Sequence, residues 1–137
     1  MLEIKMIGNN QTGKTSHAVG LAENWLSGGK SVLFVVPTLD MTLHVKEHLQ
    51  RHPNLKIIGC TQFNKTVSGR IFEAIIFDEL LMFQPNPEGS YVELARQRLR
   101  IHDFAVLAYT LPEDKRVWVS TSKWYKPRTW GTGYWSH

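Results

Sequence analysis

Cysteine is almost missing from this chain. Cys60 stands alone among 137 residues, which excludes an internal disulfide and any zinc cluster built on several cysteines. Filling space at a strand end is the role expected of it. Long apolar runs are missing too: no stretch approaches the roughly 18 residues of a membrane span. Met1-Leu2-Glu3 leads straight into a strand-like segment rather than into a basic and then apolar export signal. These features predict no membrane partner and a cytoplasmic location, the host cytoplasm if the protein is viral. Periodic repeats and low-complexity tracts are also lacking, so neither a solenoid nor a long linker is expected.

What remains is the composition of one ordered domain, 42% hydrophobic and 20% charged, too short for two typical domains. Lys and Arg number 16 against 12 Asp and Glu, a net charge of +4. An excess of this size suits nucleic-acid binding and equally suits ordinary solubilisation.

Gly8-Asn9-Asn10-Gln11-Thr12-Gly13-Lys14-Thr15 matches G-x-x-x-x-G-K-[ST] and lies between an apolar strand pattern at residues 2–7 and a helical one. A polyphosphate needs dense positive compensation without bulky side chains in its path. Gly8 and Gly13 let the loop curve, the backbone N–H groups from Asn10 to Thr15 turn inward, and Ser16 completes the binding set. Lys14 is expected to reach the β and γ phosphates, and Thr15 to place its hydroxyl on Mg²⁺. Gln11 has a place near the base or the loop opening, but nothing in its position selects adenine over guanine.

The rest of the chain alternates strands and helices. Ala18, Leu21, Ala22, Trp25 and Leu26 recur at helical spacing up to the stop Ser27-Gly28-Gly29. A buried strand follows over residues 31–36, then a helix capped by Thr38 with Met41, Val45 and Leu49 on one face. Further strands are predicted at 55–60, 72–78 and 104–109, with a turn or short helix at 61–70 and a short helix around Tyr91, Leu94 and Leu99. Val117–Val119 is a candidate edge strand. The pattern predicts a three-layer α/β domain over residues 1–122 and an aromatic, basic extension over 123–137.

The fourth strand, with Ile75-Ile76-Phe77, ends in Asp78-Glu79. Asp78 is placed to hold Mg²⁺ through water and Glu79 to orient or deprotonate an attacking water; a solvated acidic pair is the plainer alternative.

These motifs resemble the P-loop NTPases that carry a catalytic glutamate beside a magnesium-associated aspartate. With Val35-Val36-Pro37-Thr38 added, they are most similar to the N-terminal RecA-like domain of helicases and viral packaging ATPases. The resemblance covers roughly residues 1–119. It implies a mostly parallel sheet of order 3-2-4-5-1, ATP with Mg²⁺, hydrolysis, and a polar sensor at Thr110, for which a turn role is the alternative. It further implies a DNA-associated motor, remodelling or packaging assembly, as in a viral or mobile-element accessory protein. A second RecA-like lobe is not present in the chain, so a homo-oligomer or separate motor subunit is the implied partner. Arg96, Arg98, Arg100 and Arg116 are candidates for an intersubunit charge or simply solvate their surface. A small nucleoside or nucleotide kinase, and a nucleotide-controlled binding protein with little turnover, are the alternatives.

Trp124 to Trp130 and Tyr134-Trp135 mix aromatic faces with cations, suited to packing, oligomerisation or nucleic-acid contact. His44, His48 and His52 have four-residue spacing, but Pro53 follows and no cysteine lies near, so a solvated face is expected rather than a metal site. His17 is expected beside the phosphate loop without a proton-transfer role.

Overall fold

The computed structural model describes residues 1–8, 13–49, 51–86 and 88–110. The candidate strand at Val117–Val119, the extension at 123–137 and Arg116 lie outside the described residues. Five strands, β1 (Leu2–Ile7), β2 (Val32–Val36), β3 (Leu55–Gly59), β4 (Ala74–Phe77) and β5 (Phe104–Tyr109), form one sheet of order β1-β5-β4-β2-β3. Every pairing is parallel. Read from the other edge, this is the expected 3-2-4-5-1.

Parallel neighbours need crossovers, and four helices supply them: α1 (Lys14–Ser27), α2 (Leu39–His48), α3 (Phe63–Gly69) and α4 (Ser90–Arg98). The β2 run is apolar throughout because both faces of the sheet are covered. Its Val32, Phe34 and Val36 join Ala18, Ala22, Leu26 and Val45 of α1 and α2 in one core layer. Leu33 and Val35 join Phe63 and Val67 of α3 and Val92 and Ala95 of α4 in the other.

Local signals acted as expected where they are short-range. The Thr38 hydroxyl accepts from the Met41 N–H at 3.4 Å, capping α2. Helix α1 stops at Ser27, with Gly29 at φ +83°. Cys60 is buried just past β3, its Sγ 3.2 Å from the Pro37 carbonyl oxygen. Strand β3 ends one residue earlier than expected, and β4 is shorter than 72–78 at both ends, so Asp78 lies outside it.

The segment around Gln84 does more than break the chain. Gln84 is buried, and its Oε1 accepts from the N–H groups of Tyr91 (2.7 Å) and Val92 (3.2 Å) in the first turn of α4. These are donors that a helix start leaves without an internal partner. A Cβ at Gly89 would stand 2.9 Å from Gln84 Cγ and Cδ, so that glycine makes room for the cap. Gln84→Ala should lower unfolding stability by about 1–3 kcal/mol in a urea titration; a loss below about 0.5 kcal/mol would mean the cap is replaceable.

Candidate functional site

All the strands point the same way, so the residues that leave their C-terminal ends meet at one rim. Ile7 and Tyr109 are register partners, which makes Gly8 and Thr110 the next residues to leave adjacent strands. Asp78 leaves β4, on the other side of β5, where its N–H donates to the Val35 carbonyl at 2.9 Å. The sheet order thus sets the N-terminal loop and the acidic pair on either side of β5.

Helix α1 starts at this rim. Gly13 precedes it at φ +83°, a left-handed conformation that costs glycine nothing and a side chain about 1 kcal/mol or more. No described side chain caps this helix start. Its first-turn N–H groups and the positive end of the helix dipole therefore face the loop, which is the physical basis of an anion site. Asn9, Asn10, Gln11 and Thr12 lie outside the described residues.

Lys14 is 4% exposed, an ammonium taken almost wholly from water. Its Nζ lies 3.5 Å from the Gly8 carbonyl oxygen and 3.7 Å from Glu79 Oε1. The Thr15 hydroxyl donates to Asp78 Oδ2 at 2.9 Å, joining two motifs that stand 63 residues apart in the chain. Ser16, by contrast, is exposed, and Thr110 is half-buried just past β5.

Asp78 is 1% exposed. Burial pushes its carboxyl up to about 6; the Glu79 charge adds to this, while the Thr15 hydrogen bond and the Lys14 ammonium oppose it. Its second oxygen, Oδ1, is buried and accepts no hydrogen bond among the described residues. A hard cation satisfies such an oxygen better than anything the neighbouring side chains offer. Among the described residues, no group of three or more His, Cys, Asp and Glu could hold a metal by itself. Thr15 and Asp78 therefore fit a cation that brings its other oxygens with it, as Mg²⁺ does on a polyphosphate.

Glu79 was legible in the sequence as an acid but not as a conformation. It is the single non-glycine residue with positive φ among those described, at φ 50° and ψ 50°. Holding a glutamate there costs of order 1 kcal/mol or more, a strain that recurs at working sites. The turn aims its carboxylate back over the rim onto Lys14.

Other candidates separate from this cluster. Burial shifts the His17 imidazole, in the first turn of α1, downward from its ordinary value. His44 and His48 are exposed on α2, their rings 5.0 Å apart. Arg96 is tied down, its guanidinium 2.6 Å from both Glu3 and Glu88. Arg98 and Arg100 lie at the end of α4, near the start of β5 and thus at the opposite rim of the sheet.

The strand order and its helical crossovers define a RecA-like α/β fold. A solved structure of the same fold is the crystal structure of flagellar accessory protein FlaH from Methanocaldococcus jannaschii, with a TM-score of 0.57 and 18% identity. The match covers 82% of this chain and 64% of that one, and at this identity the likeness is one of fold. Neither a protein-family model nor a curated protein sequence matches the chain. Among the described residues, no helix is long and apolar enough to cross a membrane.

Proposed function

We propose that this chain is a Mg²⁺-dependent ATPase whose turnover serves a DNA-associated motor, remodelling or packaging assembly. The observation that carries the reading is the 2.9 Å bond between Thr15 and Asp78, which unites the phosphate loop with the acidic strand end. In this reading the start of α1 and the Lys14 ammonium would hold the β and γ phosphates, while Thr15 and Asp78 would hold the cation. The chemistry that Mg²⁺ supplies when bound is neutralisation of charge on those phosphate oxygens. Glu79 takes the proton of a water whose oxygen attacks the γ phosphorus; the bond to the β–γ bridging oxygen breaks, and ADP and inorganic phosphate leave. In this reading Thr110, just past the strand between the two motifs, senses the γ phosphate rather than serving only the turn. ATP rather than GTP, the assembly and the DNA follow the family resemblance and the net positive charge.

Lys14→Ala tests the phosphate site. Calorimetric titration should show ATP affinity reduced by roughly 10- to 100-fold, the value of a charged hydrogen-bonding group, with the circular dichroism of the fold retained. Undiminished affinity would reject the site.

The ion pair between Lys14 and Glu79 favours one second reading, a nucleotide-controlled binding protein with little turnover. While that pair persists, the carboxylate is engaged and the lysine is shared. ATP that binds without releasing phosphate, even with DNA present and across protein concentration, would select this reading.

A further inference from the structure

The opposite rim of the sheet carries a second concentration of positive charge. Two adjoining grooves of about 630 and 490 Å³ share Gly69 and Arg70. Arg98 and Arg100 line the first, and Lys56 and Lys65 the second. All five cations are exposed, and no Asp or Glu is among the described residues that line either groove. None of the five forms an ion pair among the described residues, whereas Lys5, Lys14, Lys30 and Arg96 each do.

The tertiary fold assembles this track from the edge strand β3, the helix α3, and the end of α4. Lys56 is the register partner of Leu33, which packs in the α3 and α4 core layer and so marks the face the track runs along. Arg70 is held in place: its guanidinium lies 5.0 Å from the centre of the Phe72 ring and donates to the Pro53 carbonyl at 3.4 Å. Phe72 lines the groove and Asp78 comes six residues later, roughly 20 Å along an extended chain. The first groove is therefore separate from the nucleotide rim, and the second runs from it along α3 at the outer edge of the sheet, where three strands lie between β3 and β1.

Cations at the ends of α3 and α4 do offset the negative ends of those helix dipoles. That accounts for Arg70 and Arg98 but not for Lys56 on a strand, nor for the exclusion of carboxylates from both grooves. The Asp103 carboxylate beside Arg100 is buried and accepts from the Arg100 backbone N–H at 2.7 Å, so it does not line the groove. Like charges gathered where no carboxylate lines the surface repel, and a polyanion relieves that repulsion while releasing its own condensed ions. Among the lining residues Ile71 is the one large apolar side chain left exposed, so the apolar core of a protein interface is not on offer. No exposed aromatic lines the grooves to stack a base.

We propose that these two grooves bind the phosphate backbone of a nucleic acid, without regard to base sequence. This rests on the nucleic-acid part of the reading above and not on the phosphate loop. Guanidinium forks match phosphate oxygens in pairs, and an elongated track of one sign suits a polymer with regularly spaced charge.

The test is fluorescence anisotropy of labelled single- and double-stranded oligonucleotides against the full chain over a salt series, comparing wild type, Arg98→Glu/Arg100→Glu and Lys46→Gln. The charge reversal should weaken binding to every sequence by about tenfold or more and make the slope of log K against log salt shallower by about 2. Lys46→Gln, at an exposed lysine of α2 that lines neither groove, should bind as wild type does. Far-UV circular dichroism of the reversed variant checks its fold. If it does not fold, the neutral pair Arg98→Gln/Arg100→Gln gives the same reading through the slope. Wild-type slope and affinity in an ordered variant would overturn the proposal and assign the contact elsewhere on the chain. No binding by wild type would remove the DNA association as well, while leaving ATP hydrolysis standing. Polyglutamate bound as tightly as the oligonucleotides would reassign the grooves to an acidic protein segment.

Discussion

Glu79→Gln is expected to bind ATP at least as tightly as wild type and to turn it over about 10²- to 10⁴-fold more slowly, the range a positioned general base supplies. The amide keeps the size and reach of the side chain, so the left-handed turn that aims it is retained. What it loses is the ability to take a proton and the charge that pairs with Lys14 across 3.7 Å. Loss of that pair has two opposite consequences. With nucleotide absent, the variant should be less stable, because the nearly buried ammonium loses its ion pair with Glu79. With nucleotide present, Lys14 is released from competition between Glu79 and the phosphates, so affinity holds or rises. Phosphate-release kinetics and calorimetry on one preparation separate these effects. Full turnover by Glu79→Gln would remove the residue from the chemistry.

The second large effect is on stability against pH, and it belongs to Asp78. Burial raises its carboxyl from 3.8 to about 6. Well below pH 3.8 the group is neutral in both the folded and the unfolded chain, and its contribution is fully favourable. As pH rises, the unfolded chain ionises first. Stability is therefore lost progressively up to about pH 6 and stays lost above it, by about 3 kcal/mol. Urea titrations in EDTA from about pH 4 to pH 7 should show this decline from Asp78, measured as the difference between wild type and Asp78→Asn. The slope rather than the absolute value is the readout, since a buried amide has an unsatisfied donor of its own. Mg²⁺ with ATP should restore the wild type at neutral pH, because a ligand that binds only the folded state stabilises it. Asp78→Asn should gain little from the same addition. Equal stabilisation of both proteins would take the cation away from Asp78.

The two outcomes bear on different parts of the rim. Glu79 tests the chemistry and Asp78 tests the ion site, and the Thr15 bond to Asp78 links them to the phosphate loop. A protein in which Asp78→Asn abolishes stabilisation but Glu79→Gln leaves slow turnover unaltered would be a nucleotide-controlled binder.

Much of this was legible in the linear chain. The phosphate-loop pattern, the Thr38 cap, the stop at Gly28 and Gly29, and the bounds of β5 depend on neighbours within a few residues, where steric preference and capping chemistry decide. The continuous apolar runs of β2 and β4 announced strands covered on both faces, and hence a parallel sheet. Resemblance, rather than periodicity, supplied the strand order.

Other features had no local signal. Gln84 stood in a segment that reads only as a breaker, and it became a cap because the chain turns to bring it over the start of α4. Arg96, in the sequence a candidate for an intersubunit charge or a solvating cation, is paired within the chain because β1 and the loop before α4 set Glu3 and Glu88 against it. The strained turn at Glu79, the buried second oxygen of Asp78 and the one-signed track at the lower rim arise from residues that are distant along the chain. Sequence alone determined which chemistry-bearing residues exist and which strand ends carry them, because those are properties of short segments. Which of those residues touch, which are drawn out of water and which stay unpaired was decided by the order of strands in the sheet, because burial and charge pairing are set by neighbours in space.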